Sequence, residues 1–249
     1  MKNQAIIITG ATSGMGKAIA TLLAQKGARL LLNGRDEHKG KDLVGELKKW
    51  SDVVFIAGDV SKPETNEQLV RETITHFGKI TGAITNAGSL GLGSVTNMAL
   101  ADWHYTLNTN LNSFFYLTKY AIPHIKNEKG FIVANASIAA FKSFPNHAAY
   151  CASKAALVSL VKQMAVDYGP DIRINAICPG PVNTPLIWDS AKAFPNPDAA
   201  VSDAAKATLL KRLGEPEDIA NLVEFLISEK ASWITGTAIT IDGGIMASR

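Results

Sequence analysis

Tyr150-Cys151-Ala152-Ser153-Lys154 sets a phenol and an ammonium four residues apart, hence on one face of a helix. Free tyrosine titrates near ~10 and lysine near ~10.4, and a nearby ammonium favours phenolate. Bringing the phenol to ~7 needs a shift of ~3 units, roughly 4 kcal/mol, which suits a low-dielectric site holding a second cation. The product would be a general acid–base poised near working pH. The same spacing also occurs on ordinary helices, so the pair needs company. Ser137 ends an apolar strand, and a hydroxyl there could bond a substrate oxygen; it could equally serve a turn. Asn110 lies within a helical stretch, Thr106–Asn112, where asparagine is a poor choice. A buried asparagine there could hold an ordered water; otherwise it faces solvent.

A second constellation stands near the start. Thr9-Gly10-Ala11-Thr12-Ser13-Gly14-Met15-Gly16 joins an apolar strand to an amphipathic helix. Glycines at such a turn admit a pyrophosphate against backbone N–H groups and bring helix close to sheet. The candidate cofactor contacts are Gly10, Thr12, Ser13, Gly14, Met15 and Gly16, although such turns also serve simple packing. The spacing is one residue longer than G-x-G-x-x-G. Discrimination between NAD and NADP belongs at the end of the second strand, in Asn33-Gly34-Arg35-Asp36. A carboxylate there would bond a ribose 2′-hydroxyl, whereas arginine could hold a 2′-phosphate. Asn33 and Gly34 leave the carboxylate position empty, so Arg35 favours NADP. The rivals are Asp36, which a count of ~20 residues from the glycines reaches, or a merely solvated helix start. Asp59-Val60 and Asn86-Ala87-Gly88 follow later strands at the same sheet edge. Asp59 alone could be a helix cap, and Asn86–Gly88 only a turn.

The elements that would position these groups alternate short aliphatic runs with longer helical segments, which argues for βαβ units and a parallel sheet covered on both faces. The expected strands are 5–9, 29–33, 53–57, 82–85, 130–136, 172–178 and 237–241. Expected helices include 15–26, 64–77, 103–125, 147–168 and 216–228. No repeat or polar linker divides the 249 residues, so residues 1–249 read as one α/β domain. The irregular region at about 184–212 reads as a mobile, partly helical lid. Its Leu186, Ile187, Trp188 and Phe194 suggest an apolar, medium-sized substrate, or else pack the lid onto the body.

Composition narrows the classes. At 47% hydrophobic and 19% charged residues, the chain is neither disordered nor fibrous. A net charge of +3 without a basic run does not call for nucleic acid. No stretch nears the ~20 apolar residues of a membrane span. Two cysteines, Cys151 and Cys178, and an opening apolar run too short for a signal peptide, lead us to expect a cytoplasmic protein. No metal site is read in the sequence.

These motifs together resemble the short-chain dehydrogenase/reductase family across essentially the whole chain. The resemblance runs from Thr9-Gly10 through Asn86-Ala87-Gly88, Asn110, Ser137, Tyr150 and Lys154 to Pro179-Gly180-Pro181-Val182-Asn183-Thr184. It continues through Gly214–Asp218, Ile234–Gly236 and Ile241–Gly244. It implies a Rossmann-like doubly wound sheet of seven strands in order 3-2-1-4-5-6-7 and an Asn-Ser-Tyr-Lys tetrad. Tyr150 would exchange a proton, Ser137 orient a carbonyl oxygen, Lys154 bond a nicotinamide ribose, and Asn110 anchor a relay water. Pro179, Gly180, Val182 and Thr184 would join the cofactor contacts, with Val182 and Thr184 at the nicotinamide end and Ile138 or Gly180 near the substrate. Arg35 again implies NADP, with NAD the alternative, and the family implies a homotetramer, for which the tail Trp233–Met246 suits an interface. Two departures are visible. Thr85 and Ala134 replace residues that are often asparagine, and Asn135 stands beside the latter; both read as sheet-packing variation. The expected reaction is hydride transfer between nicotinamide and a carbonyl or secondary alcohol. Its rivals are a 3-oxoacyl-thioester reductase for an acyl carrier protein, with Lys126, Lys129 and Arg173 as a basic rim, and a non-catalytic dinucleotide sensor.

Overall fold

A computed structural model describes residues 1–247. Strands β1 (Ala5–Thr9), β2 (Arg29–Gly34), β3 (Val53–Ala57), β4 (Gly82–Thr85), β5 (Phe131–Asn135), β6 (Arg173–Pro179) and β7 (Ala238–Ile241) form one sheet in the order β3-β2-β1-β4-β5-β6-β7. Every neighbouring pair is parallel. Each strand lies within a residue of its expected bounds at either end. The sheet separates two apolar cores, and strand pleat assigns residues to them alternately: Ile7 enters one, Ile6 and Ile8 the other. Helices α1 (Gly14–Gln25), α2 (Glu37–Leu47) and α9 (Pro216–Ile227) cover one face. On the other lie α3 (Pro63–Phe77), α5 (Ser113–Ile125) and α6 (Ala148–Tyr168).

Strand order reverses between β1 and β4, so the chain leaves their carboxyl ends in opposite directions and opens a crevice outside them, the place where ligands bind in such sheets. The helix expected at 103–125 is broken into α4 (Leu100–Leu107), a π-helical turn at Asn108–Asn112 and α5. The widened turn falls on the buried Asn110, whose side chain turns away from helix ladder bonding to distant partners. In the 184–212 region, α7 (Pro185–Ala191) and α8 (Pro197–Ala207) stand over the carboxyl ends of the strands. Among the described residues, no helix is long and apolar enough to cross a membrane.

Candidate active site

Two adjoining cavities open at the carboxyl edge of the sheet. The first, about 330 Å³, is lined by Gly10, Thr12, Ser13, Gly14 and Met15 from the glycine turn, by Arg35 after β2, and by Asp59 and Val60 after β3. Asn86, Ala87 and Gly88 line it after β4, with Tyr150, Lys154 and Thr184 at its inner end. Gly16 does not reach this cleft. A Cβ there would lie 2.1 Å from Gly10 O, so its glycine permits the close crossing of α1 over β1. Ser13 caps α1 without a side-chain bond, which leaves first-turn N–H groups for an anion in the cleft. Thr109 and Asn135 also line the cleft, and Thr109 Oγ1 and Asn135 Oδ1 are buried without a partner among the described residues. A cradle of helix N–H groups and unspent polar atoms fits a nicotinamide dinucleotide.

At the end of β2 the sequence alternatives separate. Asn33 is spent as a strap, its amide donating to Ile56 O at 3.1 Å and Gly58 O at 3.2 Å. Asp36 lies outside the cleft and caps α2, accepting from Lys39 N at 3.0 Å; that backbone bond holds its carboxyl below the usual range. Arg35 lines the cleft, and its Nη1 donates to Tyr105 Oη at 3.1 Å. Asp59 lines the cleft and does not cap α3, whose N-cap is Lys62; its Oδ1 accepts from Ser61 N at 2.9 Å in the turn before that helix.

A chain of side chains ties the glycine turn to the lysine. Asn86 Nδ2 donates to Gly10 O at 2.9 Å, and Asn135 Nδ2 donates to Asn86 Oδ1 at 2.8 Å. Lys154 Nζ then donates to Asn135 O at 2.7 Å. Asn135 is therefore part of the site, which corrects its reading as sheet-packing variation. Being the last residue of β5, it presents its amide at the crevice.

Asn110 does not line either cavity. Its Nδ2 donates to Ser89 O at 2.8 Å and Ser153 Oγ at 2.9 Å, while its Oδ1 accepts from Ser89 N at 2.8 Å. Ser153 Oγ in turn donates to Tyr150 O at 2.8 Å. Both hydrogens of the Asn110 amide are thus spent in fastening the loop after β4 to the helix of Tyr150, and an anchored water could use only the second lone pair of Oδ1 or the main chain.

The expected depression of the tyrosine pKa is not found in the protein's own groups. Burial pushes the Tyr150 phenol up to about 12, against a hydrogen bond with Ser137 that pulls it down. Lys154 Nζ lies 5.7 Å from the centre of the Tyr150 ring, but burial also lowers its own ammonium, to about 8. Desolvation outweighs the pull of Ser137, and the phenol holds its proton at neutral pH.

The second cavity, about 180 Å³, is predominantly apolar and meets the first at Tyr150, Met15 and Thr184. Ser137, Ile138, Pro179, Gly180 and Val182 line it, so these last three face the pocket beyond Tyr150 instead of the cleft. Leu186, Ile187 and Phe194 close it from the 184–212 segment, whereas Trp188 is exposed and lines neither cavity. Sequence reasoning missed Tyr105, Asn135 and also His147, which lines the pocket one helical turn before Tyr150; that three-residue spacing was its available signal. The residues of the imagined basic rim sit at the amino ends of β5 and β6, the opposite edge. There Lys126 pairs with Asp171 at 3.1 Å, and Arg173 donates to Leu226 O and Ala231 O.

The family model described as enoyl-(acyl carrier protein) reductase matches residues 10–246. The chain is 36% identical to an uncharacterized oxidoreductase of Thermotoga maritima, covering 99% of this chain and 98% of that one. It is also 36% identical to 2-(S)-hydroxypropyl-CoM dehydrogenase 3 of Xanthobacter autotrophicus, again over 99% of this chain and 98% of the relative. The solved structure of levodione reductase superposes with a TM-score of 0.94 at 33% identity, covering 100% of both chains. The parallel sheet, the crevice at its reversal point and these likenesses place the chain among NAD(P)-dependent oxidoreductases of alcohols and carbonyl compounds. It belongs to the short-chain dehydrogenase/reductase family.

Proposed function

We propose that this protein is an NADP-preferring carbonyl reductase in which Tyr150 exchanges the proton of a small ketone or secondary alcohol. The observation that carries this reading is the junction of the two cavities at Tyr150: a polar cleft with Lys154 on one side, an apolar pocket with Ser137 on the other. When bound, the nicotinamide supplies or accepts the hydride. Ser137, beside Tyr150 in the pocket wall, orients the substrate oxygen toward the phenol. A phenol that keeps its proton is ready to donate it to a developing alkoxide. Lys154, pinned by Asn135 O, faces the cleft where a ribose would lie. The whole chain acts as one domain, with the 184–212 segment as its lid. The free Cys151 and Cys178 suit a cytoplasmic setting, and Trp233, 98% exposed, suits a subunit interface of a homotetramer. Spectrophotometric oxidation of NADPH and NADH with a panel of small ketones tests the reading, and no turnover with any of them would refute it.

Cofactor choice follows from Arg35. A charge-assisted hydrogen bond contributes about 1.5–3 kcal/mol, so Arg35 should favour NADPH over NADH by about 10- to 150-fold in kcat/KM. Arg35→Ala should erase most of that preference by weakening NADPH. A wild-type ratio near one would show that the guanidinium serves Tyr105 alone. A carboxylate at Gly34 would not by itself reverse the choice, because a Cβ there lies 2.8 Å from Thr12 Cγ2 and Thr12 must first give way.

The rate should also depend on pH through Lys154. Burial disfavours the ammonium, so its proton leaves as pH rises through about 8, well below the ordinary lysine value. Ketone reduction should be level below that pH and fall above it. A rate that stays level to pH 10 would remove the charged lysine from the reaction.

A further inference from the structure

One wall of the pocket carries a polar pair that proton exchange leaves unused. His147 immediately precedes α6, three residues before Tyr150, and is 3% exposed. Its ring meets those of Phe144 and Tyr150 edge-on, with centroids 6.1 and 6.2 Å apart. Gly93 N donates to Asn146 O at 2.8 Å, which fixes the segment bearing this ring to the loop after β4. The two ring nitrogens have different partners: Nδ1 lies 2.6 Å from Pro145 O, and Nε2 lies 2.8 Å from Ser190 Oγ on α7. A carbonyl oxygen only accepts, so Nδ1 carries the hydrogen. In the neutral ring Nε2 is then an acceptor, and the Ser190 hydroxyl donates to it. Having given its hydrogen away, that hydroxyl still holds lone pairs. Its neighbours on the lid side of the pocket, Ile187, Ala191 and Phe194, offer no donor to meet them.

We propose that the Ser190–His147 pair is a second recognition point, accepting a hydrogen bond from a substrate hydroxyl other than the reacting oxygen. The substrate class is a small diol or hydroxyketone. Its reacting oxygen sits at Ser137 and Tyr150 while its second hydroxyl reaches Ser190. A mono-alcohol leaves the pair unmet, and a dione has no hydrogen to give, so both are poorer ligands. The proposal rests on the pocket being the substrate site, as argued above.

Its test compares kcat/KM for 1,2-cyclohexanediol and cyclohexanol, and for 4-hydroxycyclohexanone and cyclohexane-1,4-dione, a diketone that carries no enol hydroxyl. Ser190→Ala and His147→Phe should each lower the diol-to-mono-alcohol ratio about tenfold, mostly through KM, the worth of one hydrogen bond. Equal losses on both substrates would make the pair a mere lid fastening and overturn the proposal. An unchanged ratio would overturn it too, as would a dione preference that Ser190→Ala removes. Should the wild type turn over no ketone or alcohol, the assigned function fails separately, and nitrogen NMR of the His147 ring decides. A ring shift on adding the diol but not cyclohexanol sustains the recognition point; equal shifts or none overturn it.

Discussion

Tyr150→Phe is expected to lower turnover by about 10²- to 10⁴-fold while leaving cofactor affinity within about twofold. The substitution deletes one oxygen and its proton and keeps the ring, so the contacts with His147 and the packing at the start of α6 survive. The nicotinamide cleft keeps its lining, since Lys154 is held by Asn135 O and not by the phenol. Binding is read by fluorescence titration of the reduced cofactor, turnover by its oxidation. A variant retaining more than a few per cent of the wild-type rate would refute proton donation by Tyr150. The raised phenol adds a directional expectation. Reduction, which needs a proton donor, should run well at neutral pH, whereas alcohol oxidation, which needs the phenolate, should rise with pH.

The second large effect concerns Lys154, and it should separate activity from stability. The side chain is 4% exposed, and burial lowers its pKa from 10.5 to about 8, a cost on the order of 3 kcal/mol to keep it charged at neutral pH. Lys154→Met keeps the length of the side chain without the charge. It should cut turnover by at least about 10²-fold and weaken the cofactor, because in the proposed reaction one ammonium serves both ribose and proton exchange. Asn135 O loses its donor, which offsets part of the relief. Thermal unfolding should therefore show a stability unchanged or raised by up to about 2 kcal/mol, as when a buried charge gives way to an apolar group. A variant that loses activity only because it unfolds more readily would make Lys154 a structural residue. An unaltered cofactor dissociation constant would remove its role at the ribose.

The framework was legible in the order of residues, because a framework is written in short-range periodicity. Near-continuous aliphatic runs such as Ala5–Thr9 and Arg29–Asn33 read as strands buried on both faces, and each emerged within a residue of its expected bounds. The turn at Gly10–Gly16 and the four-residue spacing of Tyr150 and Lys154 are equally local, so both could be placed at the crevice beforehand. What tertiary structure alone decided depends on segments far apart in the chain. Asn135 joins the site because β5 ends beside Asn86, 49 residues away in sequence. Asn110 turns its amide to Ser89 and Ser153 because the π turn faces α6. The basic residues Lys126 and Arg173 read as a rim in sequence but fall at the amino ends of strands, away from the crevice. Least legible was the sign of the Tyr150 shift. Spacing shows that a cation is near, but whether attraction or desolvation wins depends on how much protein surrounds the phenol, and that density is contributed by distant elements packed against α6.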